Sequence, residues 1–113
     1  MSGITTHVLD ISRGRPAAGV PVTLETEAAG GWQLAGRGMT NADGRVADLL
    51  AADSAIASGT YRLTFDTGKY FADHNLEAFY PQVTVVFKIE NADQHYHVPL
   101  LLSPFGYSTY RGS

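Results

Sequence analysis

The strongest constraint in this sequence is a succession of short runs in which apolar and polar residues alternate, each closed by a turn signal. Alternation with period two buries one face of a strand and wets the other. In Gly19–Glu25, Val20, Val22 and Leu24 point one way and Pro21, Thr23 and Glu25 the other. Pro21 has no N–H, so this strand begins there or lies at an edge. Tyr61, Leu63 and Phe65 face inward in Gly59–Phe65, and Val83, Val85, Phe87 and Ile89 share a face in Gln82–Glu90. Further strands are expected over Ile4–Leu9, Trp32–Met39, Arg45–Leu49, Tyr96–Leu102 and Phe105–Arg111. Gly30-Gly31, Asp43-Gly44 and Asn91-Ala92-Asp93 supply turns, and Asp-Gly offers the positive φ that tight turns need. Two segments break the pattern. Ala51–Ser58 reads as a loop, and Lys69–Leu76 reads as one short helix, with Tyr70, Phe71 and His74 near helical spacing. Seven or eight strands in one chain of this length favour an all-β, antiparallel sandwich over a closed barrel, which composition alone does not separate from it.

A length of 113 residues is that of one ordinary domain, spanning 1–113. Folding buries roughly 65% of the extended chain's surface, enough for a core without staples. The absence of cysteine excludes disulfide scaffolds, zinc ribbons and thiol nucleophiles. The formal net charge is -3 and no Lys/Arg cluster exists, which argues against a nucleic-acid partner. The longest purely apolar run, Leu100–Leu102, is far too short for a membrane span. The opening residues carry no basic segment followed by a long apolar one, so no signal peptide is read and the cytoplasm is the expected compartment.

Four features carry potential chemistry. His7 is in phase with Thr5 and Leu9 in the first strand, opposite the face of Ile4 and Val8. Such a histidine serves a surface, a subunit contact or a site. His95 and His97 sit at i and i+2 of a strand and so share a face. That pair can chelate a metal, or combine a base with an orienting partner, or be a polar pair at a strand start. Arg45 follows the Asp43-Gly44 turn, where a guanidinium fork suits a planar, oxygen-rich ligand or is simply solvated. The end, Ser103–Ser113, is aromatic and hydroxyl-rich and alternates like a strand to its last residues, which would hold Arg111 and Ser113 in place if docked. No GxSxG elbow, Walker loop or HExxH is present, and the carboxylates form no obvious acid/base pair.

Taken together, the motifs resemble those of 5-hydroxyisourate hydrolases, the transthyretin-related enzymes of urate degradation. The resemblance spans nearly the whole chain. It runs through Thr6-His7-Val8-Leu9-Asp10, Gly14-Arg15-Pro16-Ala17, Gly31-Trp32 and Thr40–Arg45. It continues through Gly68-Lys69-Tyr70-Phe71 and Phe79-Tyr80-Pro81 to His95–Pro104 and the terminal Tyr110-Arg111-Gly112-Ser113. The Asp-Gly-Arg element alone is weak; HYHVPLLLSP with the terminal tetrapeptide is specific. The resemblance implies a transthyretin/prealbumin-like sandwich of two four-stranded sheets with one short helix. It implies a homotetramer with sites at the dimer–dimer interface and a small-molecule substrate, 5-hydroxyisourate. It places catalysis on His7, Arg45, His97 and Ser113, and substrate binding on Tyr110, Arg111, Gly112 and His95, with no metal or organic cofactor.

Three rivals remain open at this level. One is a non-enzymatic small-ligand carrier on the same fold, which calls for an apolar channel instead of these polar groups. The second is a zinc site built from His7, His95 and His97. The third is a generic sandwich interaction module, which would not hydrolyse anything and would tolerate changes at the polar sites.

Overall fold

The computed structural model describes residues 3–46, 49–50 and 56–113. The strands are β1 (Gly3–Asp10), β2 (Arg15–Pro16), β3 (Pro21–Ala28), β4 (Gly31–Met39), β5 (Gly59–Phe65), β6 (Val83–Ile89), β7 (His95–Ser103) and β8 (Gly106–Thr109), with one helix, α1 (Thr67–Asp73), between β5 and β6. They form two four-stranded sheets, ordered β2-β1-β7-β8 and β4-β3-β5-β6. This is the expected sandwich, and the alternation explains it. Val22, Leu24, Leu63, Phe65 and Val83 from one sheet meet Ile4, Val8, Leu100 and Leu102 from the other, all buried. Each large apolar side chain removed from water contributes about 1.5–3 kcal/mol. Pro21 is indeed the first residue of its strand, so its missing N–H costs no internal ladder bond.

The structure departs from expectation in four places. First, β1 and β7 pair in parallel, the remaining ladders being antiparallel. A parallel pair needs a long crossover, and here the crossover is most of the chain. Second, Arg45 makes only an isolated bridge with His7 where a strand over Arg45–Leu49 was expected. Its N–H goes to Asn41 Oδ1 and its carbonyl accepts from Asn41 N, so the turn consumes the groups a ladder would use. Residues 47 and 48 of that strand, and 51–55 of the expected loop, lie outside the described residues. The eighth strand is instead β2, which pairs with β1. Third, the helix starts two residues before Lys69 and ends at Asp73. Asp66 caps it by accepting from Lys69 N at 3.1 Å, satisfying one of the first-turn donors. Asn75, at φ 58°, stops it before Leu76. Fourth, the last strand ends at Thr109, and beyond it the backbone pairs through the His97–Gly112 bridge while the Arg111 side chain holds Gln94 and the Tyr96 ring. No helix among the described residues is long and apolar enough to cross a membrane.

The inward face of β1 carries two polar residues, both satisfied. Thr6 donates to the Val98 carbonyl at 2.7 Å. Asp10 accepts from Tyr70 Oη, Ser12 Oγ, Ser12 N and Arg13 N, tying α1 and the turn after β1 to the sheet. Burial works against the Asp10 charge, but the hydrogen bonds outweigh it and hold the carboxyl below its ordinary value of 3.8. A depressed carboxylate contributes stability that is in place above the ordinary value and is lost as pH falls through the lower folded one. Asp10→Ala should therefore destabilise the fold by about 1–3 kcal/mol through the stranded Tyr70 hydroxyl alone. Urea unfolding at neutral pH measures it, and a midpoint equal to wild type would refute the assignment.

Candidate active site

The parallel register sets Thr5 beside His97 and His7 beside Pro99. Because Tyr96, Val98, Leu100 and Leu102 are committed to the core, parity sends His95 and His97 to the opposite face of the sheet. Parity on β1 does the same for Thr5 and His7, between the buried Ile4, Thr6 and Val8. Two strands thus bring three imidazoles onto one outer face.

The Asn41–Arg45 turn closes against that face. Val8 N donates to the Gly44 carbonyl at 2.8 Å, and the His7–Arg45 bridge follows it. Gly44, at φ 76°, is needed twice over: the left-handed backbone disfavours a side chain, and a Cβ would overlap the Val8 carbonyl. On the far side the tail lies down across β7 through Gly112 N donating to the His97 carbonyl at 2.8 Å.

Between the turn, β1, β7 and the tail lies a cleft of about 510 Å³ lined by Thr5, Thr6, Asn41, Arg45, Val46, His95, His97 and Ser113. Its surface is about evenly polar and apolar, unlike a greasy channel. His97 is half-buried and Arg45 and His95 are exposed. His97 Nδ1 and His95 Nε2 both meet the Thr5 hydroxyl, at 2.9 and 2.8 Å. Nε2 of His97 has no hydrogen-bond partner among the described residues and is the ring nitrogen left for a ligand. Burial lowers the His97 pKa below the usual 6.5, and the charges of Arg45, His7 and His95 lower it further. The imidazole is therefore neutral and able to take a proton at neutral pH.

Not every residue singled out in the sequence lines this cleft. His7 stands beside it, with its ring against Gly44 and near enough to His97 to act on its charge. Tyr110 and Arg111 turn away into a separate apolar cavity of about 300 Å³, lined also by Val85, Phe87, Tyr96 and Val98. There the Arg111 guanidinium sits 4.5 Å over the Tyr96 ring and donates to Gln94 Oε1 at 3.1 Å. Strand parity would put Arg111 and Ser113 on one side, but the chain leaves strand geometry after Thr109, and parity does not survive the tail. Thr5 and Asn41 are cleft residues that received no role from the sequence, although Asn41 lies within the Thr40–Arg45 motif. The available signal for Thr5 was its phase with His7, and for Asn41 its place opening the turn.

Among the described residues, no three His, Cys, Asp or Glu side chains come together in a way that could hold a metal ion. The two histidines of β7 aim one nitrogen each at the Thr5 oxygen rather than at a common empty point.

Comparison with known proteins agrees with this architecture. A 5-hydroxyisourate hydrolase of Salmonella dublin is 47% identical over 110 residues, which is 97% of this chain and 80% of that protein. The solved structure of Klebsiella pneumoniae 5-hydroxyisourate hydrolase is 42% identical and superposes with a TM-score of 0.86 over 100% of both chains. Sea bream transthyretin in complex with thyroxine is 32% identical, with a TM-score of 0.89 over 96% of this chain and 93% of that one. The HIUase/Transthyretin family description matches residues 4–112, and on that match and these identities the chain belongs to the HIUase/Transthyretin family.

Proposed function

We propose that this protein is a 5-hydroxyisourate hydrolase that opens the six-membered cyclic amide of its substrate to 2-oxo-4-hydroxy-4-carboxy-5-ureidoimidazoline. One observation carries the reading: a neutral imidazole with a free Nε2, a guanidinium and a tail hydroxyl line a single cleft. Its relatives' names point the same way.

In this reading His97 is the general base. Water adds to the ring carbonyl while its proton moves to Nε2; the C–N bond then breaks and the departing nitrogen takes that proton back. Proton transfer of this kind contributes ~10²–10⁴-fold. Arg45 faces the carbonyl oxygen, where a fixed guanidinium stabilises the oxyanion that develops in the tetrahedral intermediate. His7, beside the cleft with its ring against Gly44, flanks the water, and Ser113 orients it from the tail. Gly112 keeps the tail close to β7, and His95 supports the ring of His97 through Thr5. No step calls for a metal or an organic cofactor. Tyr110 and Arg111, which line a different cavity within one chain, belong to the proposal as substrate-binding residues of a homotetramer whose sites lie between dimers.

The test is the decay of freshly generated 5-hydroxyisourate, followed by absorbance across pH. Turnover is expected, and kcat/KM should fall on the acid side only below pH 6.5, because the base's pKa is lowered from that value. Binding of small aromatic ligands without any acceleration of the decay would favour the carrier and end the proposal.

A further inference from the structure

Thr5 connects the two histidines of β7, and its single hydroxyl proton bears on which nitrogen of each ring is bare. Its hydroxyl lies 2.8 Å from His95 Nε2 and 2.9 Å from His97 Nδ1. A hydroxyl has one proton to donate, and a neutral imidazole has one N–H and one bare nitrogen. Held between two ring nitrogens, the Thr5 oxygen can donate to only one of them, so at least one ring must turn its N–H toward it. The tautomers of the two rings are therefore coupled. If Thr5 donates to His95, His97 carries its proton on Nδ1 and presents a bare Nε2. If Thr5 donates to His97, Nε2 carries the proton and cannot accept another.

We infer that Thr5 is a positioning residue: it accepts the Nδ1–H of His97 and donates to Nε2 of His95, holding His97 in the tautomer whose Nε2 lone pair is free to work. This rests on His97 being the base of the proposed hydrolysis. The nitrogen that keeps the proton is set by the bond its partner nitrogen makes, and His95 is what commits the Thr5 proton elsewhere. When Nε2 takes the water's proton, the ring becomes an imidazolium with Nδ1–H still bound to the Thr5 oxygen. The proton then leaves from Nε2 to the departing ring nitrogen, so Thr5 and His95 neither gain nor lose one. The other charged or titratable groups facing His97 are His7 from β1 and Arg45 from the turn, and both disfavour the imidazolium. An acceptor on Nδ1 offsets them.

The parallel register explains why Thr5 can do this. It lies directly beside His97 on the neighbouring strand, and Gly3 lies beside His95.

Two measurements test it. The ¹⁵N spectrum of histidine in the wild-type protein, above the His97 titration, should show His97 protonated on Nδ1. Thr5→Val, nearly the same shape without the hydroxyl, should move protons to Nε2 and lower kcat by about 10- to 100-fold, the loss usual when a histidine's orienting partner is removed. KM should change little, the acid limb of the pH profile should move, and Thr5→Ser should restore kcat to near wild type. A wild-type His97 protonated on Nε2, or Thr5→Val turning over like wild type, overturns the inference. Failure of the hydrolase reading looks different: it is wild-type protein without turnover, or His97→Asn at full rate. The spectrum reads the tautomer in either case.

Discussion

Replacing His97 with asparagine should lower kcat for 5-hydroxyisourate about 10²–10⁴-fold and leave the fold intact. Asparagine keeps a polar side chain on the outer face of β7 but has no basic nitrogen to accept the water's proton. The backbone pairing of residue 97 with Gly112 and with Thr5 does not depend on the side chain. Stability should respond in a particular direction. In the wild-type protein burial depresses the His97 pKa, so the unfolded chain takes up the proton first as pH falls below 6.5, and acid favours unfolding. Asparagine removes that linkage. The variant should be no less stable than wild type at pH 5 and its stability should vary less between pH 7 and 5. Denaturant melts at the two pH values measure this beside the absorbance assay. A variant that hydrolyses at wild-type rate would remove His97 from the role of base, whatever the melts show.

What makes this residue readable from sequence is instructive. The period-two pattern of Tyr96, Val98, Leu100 and Leu102 fixes β7's inner face, and His95 and His97 are then forced outward without knowledge of any other strand. Val20, Val22, Leu24 and Tyr61, Leu63, Phe65 fix the second sheet in the same way, and every one of them is buried. The parts that sequence pattern could not reach are those set by partners far away in the chain. The parallel pairing of β1 with β7 joins segments about ninety residues apart, and it alone puts Thr5 between the two imidazoles. A strand is expected to start at Arg45, straight after the Asp43-Gly44 turn, but Asn41 takes its N–H and leaves it a single bridge. A docked, strand-like tail is expected to hold Arg111 and Ser113 in place, yet the strand stops at Thr109 and the Arg111 guanidinium finds the Tyr96 ring, away from the Ser113 cleft. In each case a local rule held until a side chain or a distant strand offered the backbone a different partner.

Gly112 gives the sharpest test of the tail. Gly112 is outside the left-handed backbone region, so alanine there is not excluded by conformation. The obstacle is contact. A Cβ would stand 2.6 Å from His97 Cδ2 and 3.2 Å from Pro99 Cγ, and the first of these is closer than carbon atoms approach. Either the imidazole turns away or the tail lifts from β7. Turning the ring breaks its 2.9 Å contact with Thr5. Lifting the tail breaks the 2.8 Å bond from Gly112 N to the His97 carbonyl and takes Ser113 out of the cleft. A displacement of about 1 Å at a reacting group costs on the order of 10²-fold, so Gly112→Ala should lower kcat/KM by roughly that factor. Gly112 itself packs on the outer face of the sheet and the tail touches the core through Arg111 over the Tyr96 ring, so the unfolding midpoint should stay near wild type. Equal turnover by wild type and Gly112→Ala would mean that the tail's close approach to His97 has no part in catalysis, and Ser113 would lose its place in the mechanism with it.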